Sequence, residues 1–351
     1  MNKRILIFIL AGLIFSTLFY SCKSNNDELV VLYDKEFAVV KQLAQESNRA
    51  FALILSRPDC PACLHYIRHL GELYADLASK VIFNVVDISL PENQWYRYWL
   101  ATGASPTTSI FSRRGELKAV VAGITRNAIG CVKSSVANHT QCSRYLYEKH
   151  FRINGDAIQM LNVLLKSRFK LSKGEDISNA INPILRITNH PYAIYLKALN
   201  EEKQGRQDEA VYWANRFMSV VNTNNYFSRV YAGLLASVRT IINPNHMPGD
   251  EGVLSVIEEL ALGEFRFRES KPFSLTVTNT GGSSLSILHT EVGCSCLTML
   301  SDKQQTIEPG ESKVLDFRFT ADIRGEILRE IVFVSNGINP VEVVAITAKV
   351  R

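Results

Sequence analysis

The spacing of apolar residues changes twice along this chain, and those two changes constrain its fold more than any single motif. From Leu29 to about Asn138, continuous apolar runs alternate with helix-spaced stretches. Leu29–Tyr33, Phe51–Leu55 and Val81–Ile88 are unbroken apolar runs, the pattern of strands covered on both faces. Lys35 to Ala50 repeats apolar residues at helical spacing, and Ile67, Leu70, Leu73, Tyr74 and Leu77 form one stripe, which predicts a second helix. Thr107–Ser112 and Leu117–Ala122 flank Arg113-Arg114-Gly115-Glu116, a hairpin signal. Residues 29–138 therefore predict a layered α/β domain. Residues 139–246 become almost entirely helical and predict a connector. Asn243 to Asp250 is a turn-rich break, after which short strands recur between Gly and Pro turns. Residues 255–351 thus predict an all-β sandwich. A length of 351 residues suits a multidomain chain at roughly 100–200 residues per domain.

The amino terminus reads as an export address. Lys3 and Arg4 precede an uncharged apolar run from Ile5 to Tyr20, shorter than the about 20 residues of a spanning helix. Cys22 follows, then the polar stretch Lys23 to Glu28. Residues 1–21 resemble a bacterial lipoprotein signal, which implies that Cys22 is lipidated and 22–28 are a tether. An ordinary cleaved signal with an incidental cysteine is the alternative. Lys23, rather than aspartate, implies outer-membrane attachment facing the periplasm, and Asp27-Glu28 leave surface exposure open. A net charge of +5 with no dense basic run gives no support for nucleic-acid binding.

Seven cysteines are too few for a disulfide scaffold, but four sit in two close pairs. Cys60-Pro61-Ala62-Cys63 lies where the run Phe51–Leu55 gives way to a helix. Cysteines at i and i+3 on a first helical turn share a face, and the helix's positive end favours a thiolate on the first. Pro61 suits that turn, where a missing N–H costs nothing. A zinc half-site would need a second ligand pair, which this domain lacks. An inert structural disulfide remains open. No cofactor and no resident metal are expected.

On Cys60-Pro-Ala-Cys63, the Ser105-Pro106 dipeptide before the strand Thr107–Ser112, and the hairpin to Gly123, residues 29–138 resemble the thioredoxin superfamily. That resemblance implies a cis Pro106 facing the Cys60 and Cys63 sulfurs, with Cys60 as nucleophile and Cys63 resolving. Ser105 and Pro106 would hold an extended substrate. Two positions depart from the family. Ile54 stands where a buried aspartate would be, and Asp59 where a tryptophan would precede the first cysteine. Ala193–Val221, with small residues Ala198, Gly205, Ala210 and Ala214, resembles a single tetratricopeptide unit.

Gly293-Cys294-Ser295-Cys296 follows a strand, where i and i+2 side chains share a face, so a secondary thiol pair is expected. A Cu(I) site is the chemical alternative. Thr278-Asn-Thr-Gly281, this Cys-x-Cys, Ile307-Glu-Pro-Gly-Glu311 and Val334-Ser-Asn336 resemble a Hydin-related immunoglobulin-like domain of unknown function. Cys131 and Cys142 are candidates for a structural disulfide, or for an accessory pair exchanging with Cys60/Cys63. His65, His69 and His289 are expected to be ordinary histidines.

Two functions follow as expectations. The first is an exported, membrane-anchored thiol–disulfide oxidoreductase whose partners are envelope proteins or peptides carrying thiols or disulfides. The second is a non-catalytic envelope scaffold in which the CxxC is structural.

Overall fold

The computed structural model describes residues 29–137, 157–247 and 251–351, apart from positions 59, 104, 303 and 339. The expected signal segment and tether with Cys22, together with Asp59 and Cys142, lie outside the described residues. Among the described residues, no helix is long and apolar enough to cross a membrane.

The first domain runs β1 (Val30–Tyr33), α1 (Phe37–Glu46), β2 (Ala50–Ser56), α2 (Pro61–Arg68), α3 (Leu70–Leu73), β3 (Val81–Asp87), α4 (Trp95–Leu100), β4 (Thr107–Phe111), β5 (Leu117–Ala122) and α5 (Arg126–Val136). Its five strands order β1-β3-β2-β4-β5. β1, β3 and β2 are parallel, while β4 and β5 are antiparallel neighbours. The run in β2 is continuously apolar because both its faces are covered. Phe51, Leu53 and Leu55 pack with α1 and α4, whereas Ala52 and Ile54 pack with α2, α3 and α5. The Ile67–Leu77 stripe is not one helix. The backbone leaves helical geometry at His69 and Tyr74, giving α2, α3 and a short 3-10 turn.

The helical region comprises α6 (Ala157–Ser172), α7 (Ser178–Ile187), α8 (Pro191–Lys203), α9 (Gln207–Asn222), α10 (Asn225–Tyr231) and α11 (Leu235–Ile242). Ala198, Ala210 and Ala214 are fully buried where α8 meets α9. Rather than only linking two domains, this layer covers one face of the sheet. Leu161 and Leu164 share a core with Phe37, Phe51, Trp99 and Phe111. Asn162 takes the backbone N–H of Leu117 at 2.8 Å and donates to its carbonyl at 3.0 Å, tying α6 to β5.

A polar knot joins α7 to α8. Asn200 donates to Asp176 at 2.9 Å and accepts the Ile177 N–H at 3.0 Å. The Ser178 N–H and its neighbours hold the Asp176 carboxyl down to about 2. Its contribution is full above the ordinary carboxylate value of about 3.9 and is lost as pH falls toward the folded value. Asp176→Asn should therefore flatten the dependence of the urea midpoint on pH between those two values. An unchanged slope would remove this carboxylate from the account of acid stability.

The last domain contains β6 (Leu254–Ser255), β7 (Glu259–Phe265), β8 (Ser270–Asn279), β9 (Leu285–Val292), β10 (Leu297–Met299), β11 (Gln305–Ile307), β12 (Ser312–Thr320), β13 (Gly325–Ser335) and β14 (Val341–Val350). They form sheets β10-β12-β8-β6 and β11-β9-β13-β14-β7. Alternate residues such as Leu275, Val277, Phe317, Phe319, Ile331 and Phe333 fill a core of their own. Arg229 on α10 pairs with Glu291 on β9, and Arg239 on α11 pairs with Glu251 and reaches the Asn336 carbonyl. These contacts seat the sandwich on the helical layer.

Candidate functional site

The site begins where β2 ends. The chain turns after Ser56, and the Cys60 N–H bonds the Arg57 carbonyl at 3.2 Å. Cys60 then caps α2, its sulfur accepting the Cys63 N–H at 3.1 Å, with Pro61 in the first turn. Cys60 and Cys63 are joined in a disulfide, their Cα atoms 5.2 Å apart. Both cysteines are buried, but Cys60 keeps 8% of its surface exposed and Cys63 none, so Cys60 is the less covered of the two. Around them Pro61, Ala62 and Leu64 are exposed, giving the pair an apolar rim.

Ser105-Pro106 has a cis peptide bond, and the Ser105 carbonyl oxygen lies 3.9 Å from the Cys60 sulfur. The loop that presents it is held from the helical layer. Tyr226 on α10 donates to the Ala101 carbonyl at 2.9 Å and accepts the Gly103 N–H at 3.1 Å. Tyr231 donates to the Tyr98 carbonyl at 2.9 Å. The helical layer therefore positions one wall of the site, a role the sequence pattern did not reveal.

A second group missed in the sequence lies beneath α2. The Tyr66 hydroxyl meets Tyr74 at 2.7 Å and Thr108 at 3.3 Å, all three buried. Burial raises the pKa of both phenols, so they stay protonated. Ile54, opposite Thr108 in the ladder, is fully buried. These hydroxyls are thus the polar groups on that stretch of the sheet face.

The other cysteines do not join this site. Cys131 is buried on α5 and disulfide-bonded. Cys294 and Cys296 follow β9, but the extended geometry that would project two thiols together does not continue through them. They sit in a turn between β9 and β10 and form a disulfide with Cα atoms 5.1 Å apart. On an extended strand, residues i and i+2 lie about 6.6 Å apart with parallel side chains, a poor geometry for a bridge. The ladder ends at Val292, the Gly293 N–H bonds the Glu330 carbonyl at 2.9 Å, and the chain folds over. With both sulfurs bonded, the pair offers no thiolates to Cu(I). His65 on α2 and His69 just after it lie with ring centroids 4.4 Å apart at a tilt of 40°, and His289 pairs with Glu291. Among the described residues, no three His, Cys, Asp or Glu side chains gather as a metal site.

No curated protein matches the chain. Similar solved structures include an Arabidopsis thaliana thioredoxin O2 in the oxidised state, at 22% identity and TM-score 0.26, covering 32% of this chain and 94% of that one. A protein of unknown function from Porphyromonas gingivalis W83 has 20% identity and TM-score 0.27, over 30% of this chain and 50% of that one. The secreted Vibrio cholerae serine protease VesC has 18% identity and TM-score 0.25, over 28% of this chain and 23% of that one. This chain thus spans half or less of the latter two proteins. One family model, described as protein of unknown function (DUF1573), matches residues 256–350, which are the sandwich.

Proposed function

We propose that Cys60 and Cys63 are the redox centre of a thiol–disulfide oxidoreductase acting on protein or peptide substrates. The observation that carries this reading is the asymmetric pair itself, Cys60 capping α2 with some surface left and Cys63 wholly covered behind it, with the Ser105 carbonyl alongside. In the reduced form, the Cys60 thiolate attacks a substrate disulfide and expels one substrate thiolate, which takes up a proton. Deprotonated Cys63 then attacks the Cys60 sulfur, and the second substrate thiolate leaves and is protonated. The substrate gains two electrons and Cys60–Cys63 is oxidised. The reverse sequence oxidises a substrate dithiol from the disulfide form. The exposed Pro61, Ala62 and Leu64 rim suits a polypeptide better than a small polar thiol. Ser105 and Pro106 form the wall along which that segment would lie.

The cellular setting belongs to the same proposal. The apolar run Ile5–Tyr20, followed by Cys22, supports export and lipid anchoring in the envelope, facing the periplasm. A second reading, a non-catalytic envelope scaffold, is favoured by one observation: Ile54 leaves no carboxylate at that buried position to assist proton transfer to Cys63. Insulin reduction with dithiothreitol, using the chain from Lys23 onward, separates the two. Turnover that disappears in the Cys60→Ser/Cys63→Ser double variant supports exchange, whereas equal rates with and without the pair support the scaffold.

A further inference from the structure

Between the three domains lies a cavity of about 360 Å³, large enough for one or two side chains of a bound segment. Its first-domain wall includes Arg57 and Gly103, and its helical wall includes Arg229. The Arg57 carbonyl is the one bonded by the Cys60 N–H, and Gly103 precedes Ser105 by two residues. Cys60, Cys63, Ser105 and Pro106 do not line the cavity themselves, but the chain runs from its wall at Arg57 to Cys60 in three residues, each spanning at most about 3.6 Å. The sandwich supplies Glu330 and the valine surface around Val332.

Charge decides what this cavity accepts. Among the described lining residues are three guanidinium groups, Arg57, Arg97 and Arg229, and one carboxylate, Glu330, and Arg57 has an interaction of its own. Glu291, outside the lining, pairs with Arg229. Arg97 donates through Nη2 to the Arg229 carbonyl at 3.3 Å, while its Nε is buried without an acceptor. Nε itself is covered, so a group in the cavity meets the half-buried Arg97 through its terminal nitrogens, and a carboxylate is the acceptor that fits a guanidinium best. Burial lowers the Arg97 pKa, opposed by Tyr98 and reinforced by Arg229 and Arg57. An incoming anion would relieve that repulsion.

We propose that this cavity binds an acidic segment of the polypeptide that presents its disulfide or thiol to Cys60. The proposal deepens the exchange reading and rests on it for the identity of the occupant. Arg97 and Arg229 hold the carboxylates, and Val332 packs on the aliphatic part of the segment.

The test uses two cysteine-free, fluorescein-labelled peptides, one bearing a run of three Glu and the other Gln at the same positions. Their binding to the chain from Lys23 onward is read by fluorescence anisotropy at low salt. The Glu peptide should bind about tenfold tighter, and Arg97→Gln should remove about that factor, the value of a charged hydrogen bond. Glu330→Gln should tighten binding about threefold, the scale of a partly screened charge pair and a gain that misfolding cannot produce. Equal affinity for both peptides, or no response to either variant, overturns the proposal. Displacement of the Glu peptide by inorganic phosphate at equal concentration also overturns it, since the cavity would then be a general anion hole. Because neither peptide carries sulfur, a chain inactive on insulin that still shows this pattern would refute exchange while leaving the acidic-segment site standing. Activity without the pattern would do the reverse.

Discussion

Cys60→Ser should abolish disulfide exchange, whereas Cys63→Ser should accumulate a covalent adduct with its substrate. The difference follows from position. Cys60 is the less covered cysteine and sits at the helix end, where the N–H groups of α2 favour its thiolate form. Without it, Cys63 is fully covered and has no path to a substrate disulfide. Without Cys63, attack still occurs, but no neighbouring sulfur displaces the product. Non-reducing gels of the Cys63→Ser protein mixed with oxidised insulin should show a higher-mass band that dithiothreitol removes and that the double variant lacks. Turnover by Cys60→Ser at the native rate would transfer the chemistry to another cysteine. Cys131 and the Cys294–Cys296 bridge would then be the next places to look.

Trp99→Ala should destabilise the first two regions together, by about 4 kcal/mol, the cost of emptying a large aromatic site in a core. Trp99 is fully buried, stacks on Phe111 at 6.0 Å, and donates its indole N–H to the Leu161 carbonyl at 2.8 Å. It thus belongs to the sheet and to α6 at once. Urea unfolding followed by tryptophan fluorescence and by helical circular dichroism should shift to lower midpoints in parallel. Phe333, buried in the sandwich's separate core, gives the contrast. Phe333→Ala should lower the midpoint of a β-type transition and leave the helical one nearly unchanged. If Trp99→Ala moved the sheet transition alone, the helical layer would be an independent unit.

How far the sequence went can be judged residue by residue. The apolar runs at β2 and β3, the hairpin β4–β5 and the CxxC after β2 were legible because each is a local pattern. The recurring short strands of the sandwich appeared for the same reason. β7 escaped notice, having no turn signal before it and pairing in parallel with β14, far along the chain. α4, Trp-Tyr-Arg-Tyr-Trp-Leu, is too short and too evenly apolar to show a helical period. The Ile67–Leu77 stripe showed which residues are buried but not the breaks at His69 and Tyr74. In the candidate site, Cys60, Cys63, Ser105 and Pro106 were legible, whereas Tyr226, Arg97 and the Tyr66–Tyr74–Thr108 hydroxyls were not. Their roles depend on which surfaces meet, and periodicity reports only that a face is apolar. Strand geometry was carried too far into Cys294–Cys296 because alternation before Val292 carries no mark of where the ladder stops.

The most direct test of the redox centre is the order in which its sulfurs react. The chain from Lys23 onward would be reduced, passed rapidly over a desalting column and exposed to substoichiometric iodoacetamide at neutral pH. Peptide mass spectrometry then counts the label on each cysteine. Cys60 should be alkylated before Cys63, with a thiol pKa below the ordinary value of about 8.5, because it caps α2 and is the more accessible of the two. Labelling of Cys63 first, or equal labelling of both at the rate of an unperturbed thiol, would contradict the assignment of Cys60 as the nucleophile.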